Sequence, residues 1–71
     1  MADASNAEWK DISSETFREY TFPGGEQIRI NAPVKLWVRP SGSHCVIDKN
    51  GLTHWVSSKF LSITWDGATL F

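Results

Sequence analysis

Between residues 28 and 38, an apolar side chain stands at every second position. The members of this series are Ile28, Ile30, Ala32, Val34, Leu36 and Val38. Successive side chains of a β-strand point to opposite faces, so the spacing predicts a strand with one face on a core. Pro33 interrupts the series, and because proline has no N–H to donate to a ladder it indicates an edge position or a sharp bend there. A long strand bent in this way curls a sheet onto itself.

Two segments rich in turn-forming residues divide the chain into hairpins. Pro23-Gly24-Gly25 predicts a turn after a strand that begins near Thr16. Asp48-Lys49-Asn50-Gly51 predicts a second hairpin, because Asp48 can bond the turn backbone and Gly51 tolerates a positive φ, as a type I turn with a bulge requires. A two-residue turn at Asn50-Gly51 would shift the pairing by one residue. Both registers, and therefore the identity of the inward-facing residues, remain open.

The remaining signals complete an all-β chain. Residues 40–43 break the bent strand, residues 57–59 form a tight turn, and residues 60–65 alternate as a last strand before Asp66-Gly67. About five short strands without a convincing interior helix predict a small five-stranded antiparallel barrel or rolled sheet. Closure is the simplest way for so few strands to hide edges that invite aggregation. We expect a single β domain over residues 15–71.

Residues 1–14 are predicted to form an N-terminal arm outside this domain. They are polar and small apart from Trp9 and Ile12, whose spacing places them on one side of a short helix capped by Ser5 or Asn6. Isolated helices of this length are marginal in water. The arm is therefore expected to be flexible or helical, and either to fray or to lay Trp9 against the barrel.

The small size of the chain limits what it can hold together. A chain of 71 residues buries only roughly 60% of its unfolded surface, which leaves little stability for a strained active site. The single Cys45 excludes an intrachain disulfide and a cysteine-based zinc site within one chain, and it favours a reducing compartment. The polar, acidic N-terminus and the lack of a long apolar run lead us to expect a cytoplasmic protein without membrane contact.

No arrangement of residues points to catalysis, and we expect the chain not to be an enzyme. Cys45 and His54 lie on facing arms of the second hairpin, but whether they oppose each other depends on the open register. Asp48 sits at the turn, where capping the backbone is its expected role. The His, Cys and Asp residues here lack the paired spacings of a zinc site, and residues 48–51 lack the further acidic ligands of a calcium loop. We therefore expect no metal and no cofactor.

Three odd-numbered residues of the bent strand, Lys35, Trp37 and Arg39, are predicted to point away from the core. A tryptophan between two cations is suited to stacking a base or to seating a protein partner. An exposed tryptophan is costly to leave bare. Three alternatives remain open, namely coverage by the arm, a protein interface that includes self-association, and contact with nucleic acid.

The segment Trp55-Val56-Ser57-Ser58-Lys59-Phe60-Leu61 resembles a stretch of SH3 domains that reads aromatic, aliphatic, Pro, Ser, Asn, Tyr, aliphatic. The order of hairpin, bent strand, tight hairpin, one-turn helix and final strand is also similar to an SH3-type barrel. The resemblance implies that Val56 and Leu61 are core residues and that Phe60 stands where the family places a ligand-contacting tyrosine. Ser57 replaces the family's proline, so the resemblance extends to the barrel and not to polyproline binding. In general style the chain also resembles short proteins encoded by bacteriophages and prophages.

These observations favour a small interaction module that binds a protein partner. The expected contact residues are Lys35, Trp37, Arg39, Trp55 and Phe60, and the module would serve as a phage-encoded host modulator or a self-associating accessory protein. The alternative is a nucleic-acid-binding small barrel. Residues 1–26 carry six acidic and two basic side chains and residues 27–71 carry two acidic and five basic ones. With a pI near 6.0, the chain lacks the broad basic footprint that phosphate contacts require.

Overall fold

The computed structural model describes residues 8–67. Within that range the chain forms seven β-strands and no helix, and therefore no helix that is long and apolar enough to cross a membrane. The strands are β1 (Lys10–Asp11), β2 (Phe17–Thr21), β3 (Gln27–Asn31), β4 (Pro33–Val38), β5 (His44–Asp48), β6 (Thr53–Val56) and β7 (Ser62–Trp65). The all-β prediction is confirmed.

The strands form two antiparallel sheets. One has the order β1-β4-β5-β6 and the other the order β3-β2-β7. The sequence predicted a five-stranded barrel or rolled sheet, but the described residues form seven strands. The closed barrel is wrong, because no ladder joins β3 to β4 or β6 to β7 within the described part of the chain. Residues 57–61 carry the chain from the edge of the four-stranded sheet to the edge of the three-stranded one. The result is two sheets packed around one core.

The predicted bend divides the long strand into β3 and β4, one in each sheet. Ala32 adopts a φ of 50° at the break, and it is the one non-glycine residue with a positive φ in residues 8–67. Its N–H donates to the carbonyl of Thr16, and its own carbonyl accepts from the N–H of Lys49, both at 2.9 Å. Pro33 is buried directly after the break, and the β4–β5 register shifts between Pro33 and Lys35. The sharp turn at 32–33 therefore sends the chain from one sheet to the other.

The core lies between the two sheets. Its buried apolar members are Ile12, Tyr20, Ile30, Leu36, Val46 and Val56, with Phe22, Ile28, Phe60 and Ile63 packed against them. The predicted inward parity is seen at Ile30 and Leu36, whereas Val38, at the end of β4, is 43% exposed. Of the two core residues that the SH3 resemblance implied, Val56 is buried, but Leu61 is exposed and that expectation is wrong. Each fully buried aliphatic side chain contributes about 1.5–3 kcal/mol to the free energy of folding. Because these side chains come from strands of both sheets, both sheets are needed to stabilise a chain of this size.

The second hairpin has the predicted type I turn with a bulge. Gly51 has a φ of 83°, and the Asp48 N–H donates to the carbonyl of Leu52 at 2.9 Å. The Asp48 carboxylate accepts from the N–H groups of Asn50 and Leu52 at 2.9 and 3.0 Å. Asp48 is thus the expected backbone cap. The turn also settles the open register, since Cys45 pairs with Trp55.

The N-terminal arm is not helical within residues 8–14. Lys10 and Asp11 form β1 and pair with Leu36 and Lys35 of β4. The Ile12 N–H donates to the carbonyl of Val34 at 2.9 Å, and the Ile12 side chain is fully buried. The hydrogen bonds to β4 and the burial of Ile12 stabilise this segment more than a short isolated helix would. The predicted caps, Ser5 and Asn6, lie outside the described residues.

Candidate functional site

Three side chains form a row across the outer face of the four-stranded sheet. Trp37, Cys45 and Trp55 are direct cross-strand partners on β4, β5 and β6, and directly opposed residues share a face of an antiparallel sheet. The ring of Trp9 lies 5.7 Å from that of Trp37, measured between centroids. We call Trp9, Trp37, Cys45 and Trp55 the tryptophan row. It ends at the edge strand with Trp55, which is 63% exposed.

Two cations flank the row. The Arg39 guanidinium lies 5.3 Å from the centroid of the Trp37 ring, a cation–π distance. Lys35 is exposed on the same face and is paired in register with Asp11 of β1. Hydrogen bonds from Ser13 lower the pKa of the Asp11 carboxyl, and Lys35 adds a smaller contribution. The rim of the row therefore carries charges of both signs.

Phe60 is not brought to this surface. Its ring packs on the other side of the sheet, with centroids 5.2 Å from Tyr20 and 5.1 Å from His44. Lys35, Trp37, Arg39 and Trp55 thus share the outer face, while Phe60 lies half-buried against the core. A ring in this position supports the fold and leaves little surface for a ligand.

Cys45 and His54 are on opposite faces of the second hairpin. Since Cys45 pairs with Trp55, the neighbouring residues Val46 and His54 form the next pair and point to the other side. His54 Nε2 instead meets the Asp48 carboxylate at 2.7 Å. The hydrogen bond with His54 is the main cause that lowers the pKa of Asp48, and the N–H groups of the turn add to it. The geometry therefore gives Cys45 no base, and residues 8–67 contain no cluster of metal-ligating side chains.

A buried ion pair lies in the core, and the sequence interpretation missed it. Arg18 Nε and Nη2 donate to the two carboxylate oxygens of Glu15 at 2.9 and 2.7 Å, and both side chains are fully excluded from solvent. Burial opposes the charge of Arg18, but hydrogen bonding to Glu15 helps to raise the pKa of the guanidinium. Arg18 also lies 4.7 Å from the ring centroid of Trp65. The burial of Arg18 could have been inferred from its spacing, because Arg18 lies two residues before the core residue Tyr20 and the two side chains share one face of β2.

Tyr20 and His44 extend this polar network through the core. The Tyr20 hydroxyl and His44 Nδ1 are 2.7 Å apart. Burial raises the pKa of Tyr20, while burial and the nearby Arg18 charge lower the pKa of His44. A neutral imidazole that accepts from the tyrosine hydroxyl agrees with both directions. The hydrogen bond between Tyr20 on β2 and His44 on β5 thus joins the two sheets through the core.

A cleft of about 510 Å³ lies where the chain bends between the sheets. Its walls are formed by Ser13, Glu15, Thr16, Ala32, Pro33, Val34 and Lys49. None of the predicted contact residues lines it. The Glu15 carboxylate is already bonded to Arg18, so the cleft offers mainly apolar walls and the ammonium group of Lys49.

Comparison with protein-family models found no match, and searches of characterised proteins and of solved structures found no significant similarity. The function is therefore argued from the surface of this chain.

Proposed function

We propose that this chain is a small non-enzymatic interaction module that binds a protein partner through the outer face of its four-stranded sheet. The observation that carries the proposal is the tryptophan row, whose last ring, Trp55, is 63% exposed. Tryptophan and arginine are the residue types most enriched among the energetic centres of protein interfaces. A large ring held on a strand has few rotamers to lose when a partner covers it.

Covering this ring would make a large single contribution to the binding free energy. A tryptophan buries about 150–250 Å² when fully covered, so covering the exposed part of Trp55 contributes about 2–4 kcal/mol at roughly 25 cal/mol per Å². The Trp37 ring contacts both the Trp9 ring and the Arg39 guanidinium, and it lies on the same face as Trp55. Lys35 and Asp11 lie at the rim, where charges orient a partner more than they bind it.

Nucleic acid is the second candidate, favoured by the placement of Lys35 and Arg39 beside Trp37. Three observations weaken it. The Arg39 guanidinium already lies over the Trp37 ring where a base would stack. Asp11 lies opposite Lys35, and the net charge of the chain is −1. Phosphate contacts depend on a broader excess of cations, so a protein partner remains the better occupant.

The strand order agrees with the proposed SH3-like architecture. A hairpin of β2 and β3, a kink at 32–33, a meander of β4, β5 and β6, and a final β7 returning to β2 follow the strand order suggested by the sequence resemblance. Residues 57–61 form a turn in place of the expected one-turn helix. Phe60 packs inward, which argues against a polyproline groove at that position. The cytoplasmic location and the role as a phage-encoded modulator or self-associating accessory protein remain proposals from the sequence.

Photo-crosslinking in the cells that produce the chain tests the proposal. A photoreactive amino acid is placed at Thr53, exposed beside Trp55, and as a control at Arg29, exposed on the three-stranded sheet. We expect discrete protein adducts from the probe at position 53, and we expect the substitution Trp55→Ala in the same chain to remove them. The probe at position 29 is expected to form none of these adducts. Adducts to nucleic acid alone, or the same adducts from both positions, would refute the proposed surface. Thermal unfolding of Trp55→Ala checks that the fold is retained.

A further inference from the structure

Strand β6 ends the four-stranded sheet with unpaired backbone groups. The Asp48 N–H donates to the Leu52 carbonyl, so Leu52, His54 and Val56 direct their backbone groups toward β5. The alternate residues Thr53 and Trp55 direct their N–H and C=O groups away from β5. Within residues 8–67 no strand lies on that side of β6.

This edge carries none of the usual protection against pairing. Natural edge strands are blunted by charged residues, proline or very short length. The edge strand β1 has two residues, and the edge strand β3 carries Arg29. The edge strand β7 is also uncharged, but its Trp65 is half-buried and contacts the Arg18 guanidinium. By contrast β6 reads Thr-His-Trp-Val, and the imidazole of His54 is already bonded to Asp48. The strand therefore offers a neutral, ready template for another strand.

We infer that a second copy of this chain docks along β6, antiparallel, with the two-fold axis passing between the two Trp55 residues. This inference rests on the proposed function, since it names the protein that the tryptophan row binds. Two antiparallel copies of one edge strand are self-complementary around an axis perpendicular to the sheet. The outer faces of the two four-stranded sheets then lie on the same side of the joined sheet, and the two tryptophan rows meet end to end at Trp55.

The register follows from the parity of the edge. Centred on Trp55, the pairing matches Thr53 with Ser57 of the second copy, Trp55 with its own counterpart, and Ser57 with Thr53 of the second copy. Thr53 and Trp55 lie within β6, whereas Ser57 follows it directly. With Ser57 extended as a continuation of the strand, all three pairs use backbone groups that point away from β5. A centre at His54 or at Val56 gives two such pairs, so the Trp55 centre forms the most hydrogen bonds.

A second copy is favoured over an unrelated strand by the row and by charge. Docking covers the exposed Trp55 ring with the same ring of the other copy, and aromatic pairs across strands stabilise antiparallel sheets. No charged residue of one β6 is placed beside a like charge, because residues 53–57 contain no Lys, Arg, Asp or Glu. An edge of this kind, with a large central ring, has the features of an isologous interface.

Sedimentation equilibrium from about 1 μM to about 1 mM tests the inference with three variants. Trp55→Ala is expected to weaken the dimer by about thirtyfold. Thr53→Pro is expected to abolish it, because the lost N–H points away from β5 and no bond within the chain is removed. The control, Leu61→Ala, truncates a side chain that is 71% exposed and is expected to leave the dimer unchanged.

Disulfide trapping tests the register directly. In a Cys45→Ala background, Thr53→Cys with Ser57→Cys places thiols on hydrogen-bonded pairs whose Cα atoms are about 5.5 Å apart, within the range of a disulfide. Inside one chain these positions are about 13 Å apart along the strand and cannot join. We expect covalent dimers from this variant and none from Thr53→Cys alone in the same background.

Three results would overturn the inference: a wild-type chain that stays monomeric throughout, a dimer insensitive to both Trp55→Ala and Thr53→Pro, and trapping by the single cysteine. A monomeric chain that still forms adducts with another protein, dependent on Trp55, refutes self-association and leaves the proposed function standing. A different result would refute the proposed function: the absence of any protein adduct whose formation depends on Trp55.

Discussion

Replacing Glu15 by alanine is expected to destabilise this fold strongly, because it leaves a charge buried without its partner. The Glu15 and Arg18 side chains are both 0% exposed and are joined by two hydrogen bonds. Arg18 Nη1 is already buried without a hydrogen-bond partner among the described residues. In Glu15→Ala the other donors of the guanidinium lose theirs as well.

The magnitude follows from the burial of the pair. Removing one member of a buried ion pair costs about 3–5 kcal/mol. A domain of this length has a total stability of roughly 4–10 kcal/mol. Glu15→Ala is therefore expected to remove a third of the free energy of unfolding or more. The exposed pair between Arg29 and Glu19, with 3.7 Å between the charged atoms, is worth less than about 1 kcal/mol and supplies the matched control.

Urea unfolding of three variants measures this difference. Glu15→Ala is expected to lose about 3–5 kcal/mol, and Glu19→Ala less than about 1 kcal/mol. The double variant Glu15→Leu/Arg18→Met is expected to recover most of the loss, because two apolar side chains leave no unpaired charge in the core. Equal losses for Glu15→Ala and Glu19→Ala would refute the reasoning, as would a double variant no more stable than Glu15→Ala.

Three further changes test other contacts. Gly67→Ala is expected to destabilise by about 1–3 kcal/mol, since the residue has a φ of 107° and an added Cβ would lie 2.7 Å from the Ser14 carbonyl oxygen; a chain of unchanged urea midpoint would contradict this. Tyr20→Phe is expected to cost about 1–3 kcal/mol by leaving His44 Nδ1 without its donor, and an unchanged melting temperature would show that bond to be unimportant. The pKa of Asp48 is lowered from 3.8, so the stability it contributes is present above that value and is lost as pH falls through the folded-state pKa. Asp48→Asn is expected to flatten the acid limb of a stability–pH curve, and an unchanged limb would contradict the assignment.

The presence of β-strands was predictable from the spacing of apolar residues, but their division into two sheets was not. Apolar residues alternate on both sides of the bend, so the pattern continues unchanged through Ala32 while the backbone adopts a positive φ there. Alanine gives no local sign of that conformation. β1 has two residues, which are too few to show a period. The core residue Ile12 directly after it fits equally well on one side of a helix.

Part of the candidate surface was predictable, because side chains alternate between the two faces of a strand. Parity alone places Lys35, Trp37 and Arg39 outward, whereas joining Trp55 to them depends on the turn type, which sets the register of the second hairpin. Phe60 was predicted to lie in the last strand, but that strand begins at Ser62, so the alternation does not extend to Phe60. Arg18 stands at an inward position of β2, but a charged residue there is discounted until its partner Glu15 is seen to be buried with it.

Amide hydrogen exchange at Thr53 and Trp55 tests the central claim most directly, that the exposed edge and face of the four-stranded sheet form the contact surface. In the dilute, isolated chain these two amides lack a ladder partner among the described residues and are expected to exchange rapidly. In the complex, with a second copy or another captured protein, their exchange is expected to slow while that of Arg29 is unchanged. Rapid exchange at both amides in the complex, with protection gained on the three-stranded sheet instead, would contradict the account.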